Sequence, residues 1–450
     1  VRFVFDAIYL LALFVTLPRL LRRRRSSWAW RERLLGPRPE DLRPAAAARH
    51  RSDSVGSFLA QQETVRIWLH GVSVGEIHAL RRMVDELERQ RPDVTCLISC
   101  TTDTGLAEAR RLFPHWPVFR WPLDLSWTVR RTLRRIRPHL IVLAESEWWP
   151  NFLLAARCFG IPVVAANVRF SPRTQQRYRR FARLAHSWLQ CIDSFLVQTH
   201  DYADALAACG IERQRIQVTG SVKYDGNLGD RSDPRVVELK RQFGISEEDV
   251  VWVGGSTQPE EEAAILDCYS ALQHRYPQLR LILVPRHAER FDEVALQLAE
   301  QGIAYVRRTQ LPEPRSIGRS VILVDTIGEL SAIWGLADIA FVGGSLDGRR
   351  GGQNMIEPAS FGAAVLFGPH TWNFRETVRQ LLASQAACVV RDAADMLHVV
   401  QRLLDSPDER RRLGEAARQL VQSQQGASRR VVECLLPFVP SSRASQDEAA

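Results

Sequence analysis

Short runs of β-branched and other apolar residues recur along this chain, and between them the apolar positions fall at helical spacing. Val65–Leu69, Val94–Cys100, Leu140–Glu145, Val163–Val168, Ser194–Thr199 and Ile216–Gly220 read as buried strands. The stretches 76–90, 103–112, 126–136 and 173–190 repeat their apolar residues every three to four positions and predict helices. After a polar break at Gly226–Pro234 the alternation restarts. Its strands are predicted at Val250–Gly255, Leu279–Arg286, Val321–Thr326, Ile339–Ser345, Ala363–Gly368 and Ala387–Arg391. Strands alternating with helices imply a parallel sheet covered by helices. The fold class is therefore α/β, with two doubly wound, Rossmann-like domains. Ligands of such sheets bind beyond the carboxyl ends of the strands, so with two sheets the cleft between the domains is the expected site. The expected boundaries are 63–228 for the first domain and 229–436 for the second with its closing helices, followed by a polar tail at 437–450.

The front of the chain has a different pattern. Phe3–Leu17 is apolar apart from Asp6, and Pro18, Arg19 and the run Arg22–Arg25 follow. Fifteen residues fall short of the ~20 needed for a full membrane span. The charges lie after the apolar run, unlike a secretory signal. Residues 1–25 are expected to be a signal anchor or shallow membrane helix with a basic flank on the cytoplasmic side. A buried N-terminal helix is the other reading of the same residues. Residues 26–62 read as a connection, with 36–62 rich in Pro, Ala, Arg, Ser and Asp.

Composition narrows the function. Of 450 residues, 45% are hydrophobic and 25% charged, which excludes a disordered or fibrous chain. The net charge of +9 is uneven: residues 1–50 carry +7, 51–230 carry +6, and 231–450 carry −4. That argues against a nucleic-acid binder and for one basic face turned toward an anionic membrane or a phosphorylated substrate. Eight cysteines form no CxxC pair and read as reduced thiols rather than a disulfide framework. Only two of the 60 basic residues are lysines, Lys223 and Lys240.

Candidate chemistry gathers at the predicted strand ends. His70–Glu76 (HGVSVGE) follows the first strand, and Glu76 opens a helix. The positive helix terminus is expected to lower its pKa and keep it ionised, ready to act as a general base. A carboxylate that only complements the dipole is the plainer alternative. Ala144–Asn151 (AESEWWPN) puts Glu145 and Glu147 at the next strand end. Such a pair is suited to holding a metal, to acid/base work, or to ordering a neighbouring Arg. With no His or Asp beside them, no metal is expected. Asn167–Thr174 and the basic run beyond it bring Arg169, Arg173 and Arg177 near one strand end, where guanidinium groups suit phosphate or carboxylate. Lys223 lies in GSVKYD at the end of the last strand of the first half.

In the second half, GGSTQPEEE (Gly254–Glu262) has the form of an anion-cradling strand–loop–helix junction, with Ser256 or Thr257 as helix cap. It lacks the endings of a Walker A or a dinucleotide loop, so no dinucleotide cofactor is expected. Pro285, Arg286 and His287 end the next strand, and Arg286 suits a phosphate. The Gly-rich segment 342–374 carries Gly344, Ser345, Asn354 and Glu357. Such loops allow close backbone approach to a ligand, and this one has a nucleotide-sugar layout.

These segments, in this order, resemble the 3-deoxy-D-manno-octulosonic acid (Kdo) transferases of lipid A biosynthesis over most of residues 1–425. The resemblance implies an inverting, metal-independent GT-B glycosyltransferase with no cofactor, a CMP-Kdo donor and an anionic lipid A precursor as acceptor. It implies a place at the cytoplasmic face of the inner membrane. By the same likeness the H-x-x-S-x-G-E motif puts the catalytic base on Glu76. The E-x-E-x-W-P-N motif falls on Glu145, Glu147 and Asn151. Donor binding falls on Ser256, Thr257, Pro285, Arg286, Gly344, Ser345, Asn354 and Glu357, with Lys223 and His287 placed nearby. Arg169, Arg173 and Arg177 then belong to the acceptor. The chain departs from the family at Gln258 and Gln353, where His is usual, and Asp347–Arg350 is one residue longer. Those departures keep open the transfer of another nucleotide sugar to a membrane lipid.

Overall fold

A computed structural model describes residues 5–7, 9–10, 30–42, 65–170, 174–176, 178, 182–226, 228–311 and 318–440. Arg173, Arg177, most of the N-terminal apolar run and the tail beyond 440 lie outside the described residues. The chain divides into two compact units, one of residues 1–225 with 426–450 and one of residues 226–425.

The first unit is built on seven parallel strands: β1 (Val65–Gly71), β2 (Val94–Cys100), β3 (Val118–Arg120), β4 (Leu140–Ala144), β5 (Val163–Val168), β6 (Ser194–Val197) and β7 (Ile216–Val218). Their order is β3-β2-β1-β4-β5-β6-β7. Chain order reverses between β1 and β4, which pair from Ile67↔Leu140 to His70↔Leu143. A reversal of this kind opens a crevice at the carboxyl ends of the two strands. The inner strands β1, β2, β4, β5 and β6 bury both faces, and the edge strands β3 and β7 do not. Ile67 and Leu69 face one layer of apolar side chains, while Trp68 faces the other, with Phe119, Trp121 and Phe152. Period-two alternation accounts for this division.

The second unit repeats the plan with β8 (Val250–Thr257), β9 (Leu279–Pro285), β10 (Tyr305–Arg307), β11 (Val321–Leu323), β12 (Ile339–Val342), β13 (Ala364–Phe367) and β14 (Ala387–Val389). The order is β10-β11-β9-β8-β12-β13-β14, again all parallel. Its reversal lies between β8 and β12. The two strands that the hydrophobic pattern did not mark, β3 (VFR) and β10 (YVR), are edge strands in which an arginine follows two apolar residues, so neither forms an apolar run.

Helices important for the site are α1 (Val74–Gln90), α2 (Pro150–Cys158), α3 (Pro259–Leu272), α4 (Ile356–Ser360) and α5 (Ala427–Leu435). The closing helix α5, expected with the second domain, packs on the first unit instead. Its Val431, Val432 and Leu435 join the same apolar layer as Leu80 and Val84 of α1. Two local features bring it there. Gly426 takes φ +83°, a turn that a side chain would resist. Asp225 then caps α5, accepting the N–H of Gly426 at 2.7 Å and of Ala427 at 3.2 Å, and that of Ser428.

The few described residues of the N-terminal run also belong to the first unit. Phe5 and Asp6 are buried, and the Phe5 ring meets Trp188 edge-on at 5.5 Å. Among the described residues no helix is long and apolar enough to cross a membrane.

Candidate active site

In the first unit, β1 delivers His70–Gly71 and the chain turns through Val72 and Ser73 into α1. His70 is fully buried. Its Nδ1 lies 2.9 Å from the Ser99 hydroxyl, and its ring stacks on Trp121 at 3.7 Å. Burial lowers its pKa to about 3, so it is neutral and holds the strand end in shape. Gly71 is tightly packed: a Cβ there would press on the Glu76 Cβ at 3.1 Å and on Leu80 at 3.3 Å. At Gly75 the φ is not positive, and a Cβ would meet nothing closer than the Ser73 hydroxyl at 4.0 Å. Neither the turn nor the packing therefore demands a glycine at this position.

Glu76 occupies the third position of α1, and its carboxylate reaches back to accept the Val72 N–H. The sequence led to a lowered pKa, and the structure reverses it. Burial pushes Glu76 up to about 7, and the charges of Glu145 and Glu147 push the same way. The backbone N–H groups of Val72 and Ser73 oppose this without overcoming it. Removing a carboxylate from water outweighs a few N–H bonds unless a counter-charge is present.

Glu145 and Glu147 follow β4 directly, across the reversal point from Glu76. Glu145 has φ +57°, a strained conformation for a residue with a side chain. Its carboxylate lies 3.6 Å from Lys223 Nζ and 3.9 Å from the Arg169 guanidinium. Burial raises the pKa of Glu147, and Glu145 adds to the effect. The structure thus brings Glu76, Glu145, Glu147, Lys223 and Arg169 together at one strand-end crevice. Ordering a neighbouring cation, one of the roles open to the glutamate pair, applies to Glu145. Lys223, expected at the donor, is engaged with Glu145. Asn151 is 2% exposed and serves the scaffold: its N–H reaches Asp124 Oδ2 at 3.0 Å and its amide the Asp124 carbonyl at 2.7 Å.

In the second unit the strand-end loops are organised by Glu261, which the motif pattern does not single out. Glu261, fully buried, accepts the N–H of Gly344 at 2.8 Å, Ser345 at 2.8 Å, Leu346 at 3.1 Å and Gln258 at 3.0 Å. The backbone donors expected to cradle a ligand anion at Gly344 and Ser345 are therefore occupied by a side chain of the protein. Ser345 is also fully buried: its hydroxyl donates to the Val342 carbonyl and accepts the Gly368 N–H, both at 2.8 Å. Thr257 is buried against Glu262 at 3.3 Å, and Glu262 pairs with Arg290 at 2.6 Å. Neither Ser256 nor Thr257 caps α3, as was expected; Gln258 stands at that position because Pro259 fixes the first helical residue. That proline, with Glu261 three residues after the cap, was the available signal.

Other second-unit candidates remain accessible. Ser256 is half-buried with φ +55°, a strained strand end of the kind found at ligand sites. A Cβ at Gly343 would overlap the Ser256 carbonyl, so the glycine is what lets the two loops touch. Pro285 is buried at the end of β9, and Arg286 and His287 beyond it are exposed. The Arg286 N–H is bonded to the Thr257 carbonyl at 3.1 Å, which aligns the two strand ends. Its guanidinium has no ion pair among the described residues. Asn354 accepts the Ile356 N–H at 3.0 Å and donates to Glu357 at 2.8 Å, so these two half-buried residues fix the start of α4.

Two all-parallel seven-stranded sheets, each reversing its chain order once, are a GT-B-like architecture. UDP-GlcNAc 2-epimerase from Neisseria meningitidis shares it, with a TM-score of 0.58 and 14% identity over 83% of this chain and 100% of that one. Sequence likeness goes further. The family model described as 3-Deoxy-D-manno-octulosonic-acid transferase (kdotransferase) matches residues 29–226, and one described as glycosyl transferase-like matches 349–435. The 3-deoxy-D-manno-octulosonic acid transferase of Haemophilus influenzae is 35% identical over 379 residues, which is 83% of this chain and 87% of that protein. Its counterpart in Bordetella pertussis is 34% identical over 429 residues, 91% and 94% of the two chains. The chain belongs to the 3-deoxy-D-manno-octulosonic acid transferase family and is a glycosyltransferase of lipopolysaccharide biosynthesis.

Proposed function

We propose that the protein transfers Kdo from CMP-Kdo to a hydroxyl of an anionic lipid A precursor, with inversion, at the cytoplasmic face of the inner membrane. The observation that carries this reading is Glu76: a half-buried carboxylate at a strand-end crevice, with a pKa raised to about 7 and two further carboxylates beside it. A base titrating near neutrality is matched to deprotonating a hydroxyl. In the proposed step Glu76 takes the acceptor proton and the acceptor oxygen attacks the ketosidic carbon. The bond from that carbon to the CMP phosphate breaks, and CMP leaves with the charge. Glu145 and Glu147 keep Glu76 basic; Arg169, with Arg173 and Arg177, meets the phosphates of the acceptor. The second unit holds the donor through Ser256, Arg286, His287, Asn354 and Glu357, with Thr257, Pro285, Gly344 and Ser345 shaping the loops. Arg286 neutralises charge that develops on the leaving phosphate. The apolar N-terminal run and its arginines hold the enzyme at the membrane.

Arg286→Ala is expected to lower kcat/KM for CMP-Kdo by roughly 10- to 150-fold, the loss of one charge-assisted contact of about 1.5–3 kcal/mol. Steady-state kinetics at fixed acceptor check it, and an unchanged value removes Arg286 from the donor site. Donor identity is tested by offering CMP-Kdo and a set of UDP-sugars with the same lipid. Turnover with a UDP-sugar and none with CMP-Kdo would refute the proposed donor.

A further inference from the structure

Asp6 carries the only charge between Phe3 and Leu17, and the chemistry proposed above makes no use of it. A carboxylate inside an apolar run is costly in a membrane unless it has partners. Here it has three. Asp6 is 7% exposed; Oδ1 accepts the Ser126 N–H at 2.8 Å and the Asn151 amide at 3.0 Å, and Oδ2 accepts the Ser126 hydroxyl at 2.6 Å. Tyr9, one turn later, sets its ring 6.2 Å from that of Trp149. Asp124, hydrogen-bonded to Tyr9 and close to Asp6, accepts the N–H groups of Asn151 and Phe152 at 3.0 and 2.7 Å, capping α2 from outside the helix. Both amide hydrogens of Asn151 are thereby used, one by Asp6 and one by the Asp124 carbonyl.

Trp149 and Asn151 belong to the same short segment as Glu145 and Glu147. That segment begins at a strained residue, Glu145 at φ +57°, and such strain persists only where the surroundings hold it. We propose that Asp6 is a positioning residue: it pins the N-terminal apolar run to Ser126 and Asn151 and so holds the loop of Glu145 and Glu147 in place beside Glu76. The inference rests on the reading of those three carboxylates as the catalytic cluster. It makes the N-terminal run part of the active-site scaffold as well as an attachment to the membrane.

Full-length Asp6→Leu, Asp6→Asn and Ser126→Ala enzymes in membranes test this, with E76Q as reference. Asp6→Leu makes the run more apolar, so it stays with the membrane fraction. Its kcat is expected to fall by about 10- to 100-fold, the scale of an ångström-sized misplacement, with KM for CMP-Kdo within about twofold. The acidic limb of its pH–rate profile shifts to lower pH, because Glu145 and Glu147 no longer sit close to Glu76. Asp6→Asn, which keeps one acceptor oxygen, falls between Asp6→Leu and the parent. A normal kcat with an unshifted acidic limb in Asp6→Leu overturns the proposal. Should limited proteolysis show the first unit of Asp6→Leu to be misfolded, Ser126→Ala decides. A lower kcat with a shifted limb supports the pin, and parental values refute it. If E76Q is fully active, the reading of the carboxylate cluster fails and the pin with it. If E76Q is inactive while Asp6→Leu is normal, the pin alone fails.

Discussion

Glu76→Gln is expected to slow single-turnover transfer by roughly 100- to 10,000-fold, the range for losing a general base. The amide keeps the volume, and its oxygen can still accept the Val72 N–H that Glu76 accepts now. What it loses is the ability to take a proton. CMP affinity should be unchanged, because Ser256, Arg286 and the loops around them belong to the other unit. The pH dependence follows from the same carboxylate. With its pKa pushed up to about 7, the parent enzyme loses about tenfold in kcat/KM for each pH unit below that, and the residual rate of the variant is flat there. Stability has the opposite sign. A carboxyl whose folded pKa is raised favours folding while protonated, and that contribution is lost as pH rises through about 7. Glu76→Gln, which stays neutral, should therefore melt higher than the parent at pH 8 and close to it at pH 5. A variant keeping more than about a tenth of the parental rate is too active for a missing base. Glu145 or Glu147 would then take the role.

Glu261→Ala is expected to be the most damaging change in the second unit. It removes one buried carboxylate and strands the N–H groups of Gln258, Gly344, Ser345 and Leu346. An orphaned buried donor costs about 1–3 kcal/mol, and partial collapse or entry of water recovers some of the total, so a loss of about 3–5 kcal/mol is expected. Chemical denaturation reads it. Binding adds a second readout: at temperatures where the variant is still folded, CMP affinity should drop, because the loop at Gly343–Leu346 no longer has its clamp. Glu261→Gln keeps an acceptor oxygen but turns an NH2 toward other donors, and it should fall between parent and alanine. Parental stability in Glu261→Ala would show that the loop holds itself.

The layout of the fold was legible because parallel strands buried on both faces are written as unbroken apolar runs. That signal marks the inner strands, whereas Val118–Arg120 and Tyr305–Arg307, edge strands with an arginine after two apolar residues, do not carry it. The destination of α5 was not legible. Its apolar stripe fits any core, and what sends it to the first unit is the pairing of Asp225 with backbone N–H groups some 200 residues later. Site residues were legible as types at strand ends, and Glu76, Glu145 and Glu147 do meet. Their electrostatics were not. A helix N-terminus argues for a lowered pKa at Glu76, whereas burial and two carboxylates from a different strand end raise it, and only the fold sets those distances. The same holds for Gly344 and Ser345. A glycine-rich loop after a strand suggests backbone donors free for a phosphate, but Glu261 reaches across from another helix to take them.

The central claim is tested most directly by incubating the purified full-length protein with CMP-Kdo and a bisphosphorylated tetraacyl lipid A precursor and reading the lipid by mass spectrometry. The account predicts a lipid heavier by one or more Kdo residues and CMP released in equal amount, with both products nearly absent for Glu76→Gln. An unchanged lipid with CMP-Kdo intact, or a lipid extended at the parental rate by Glu76→Gln, would contradict it.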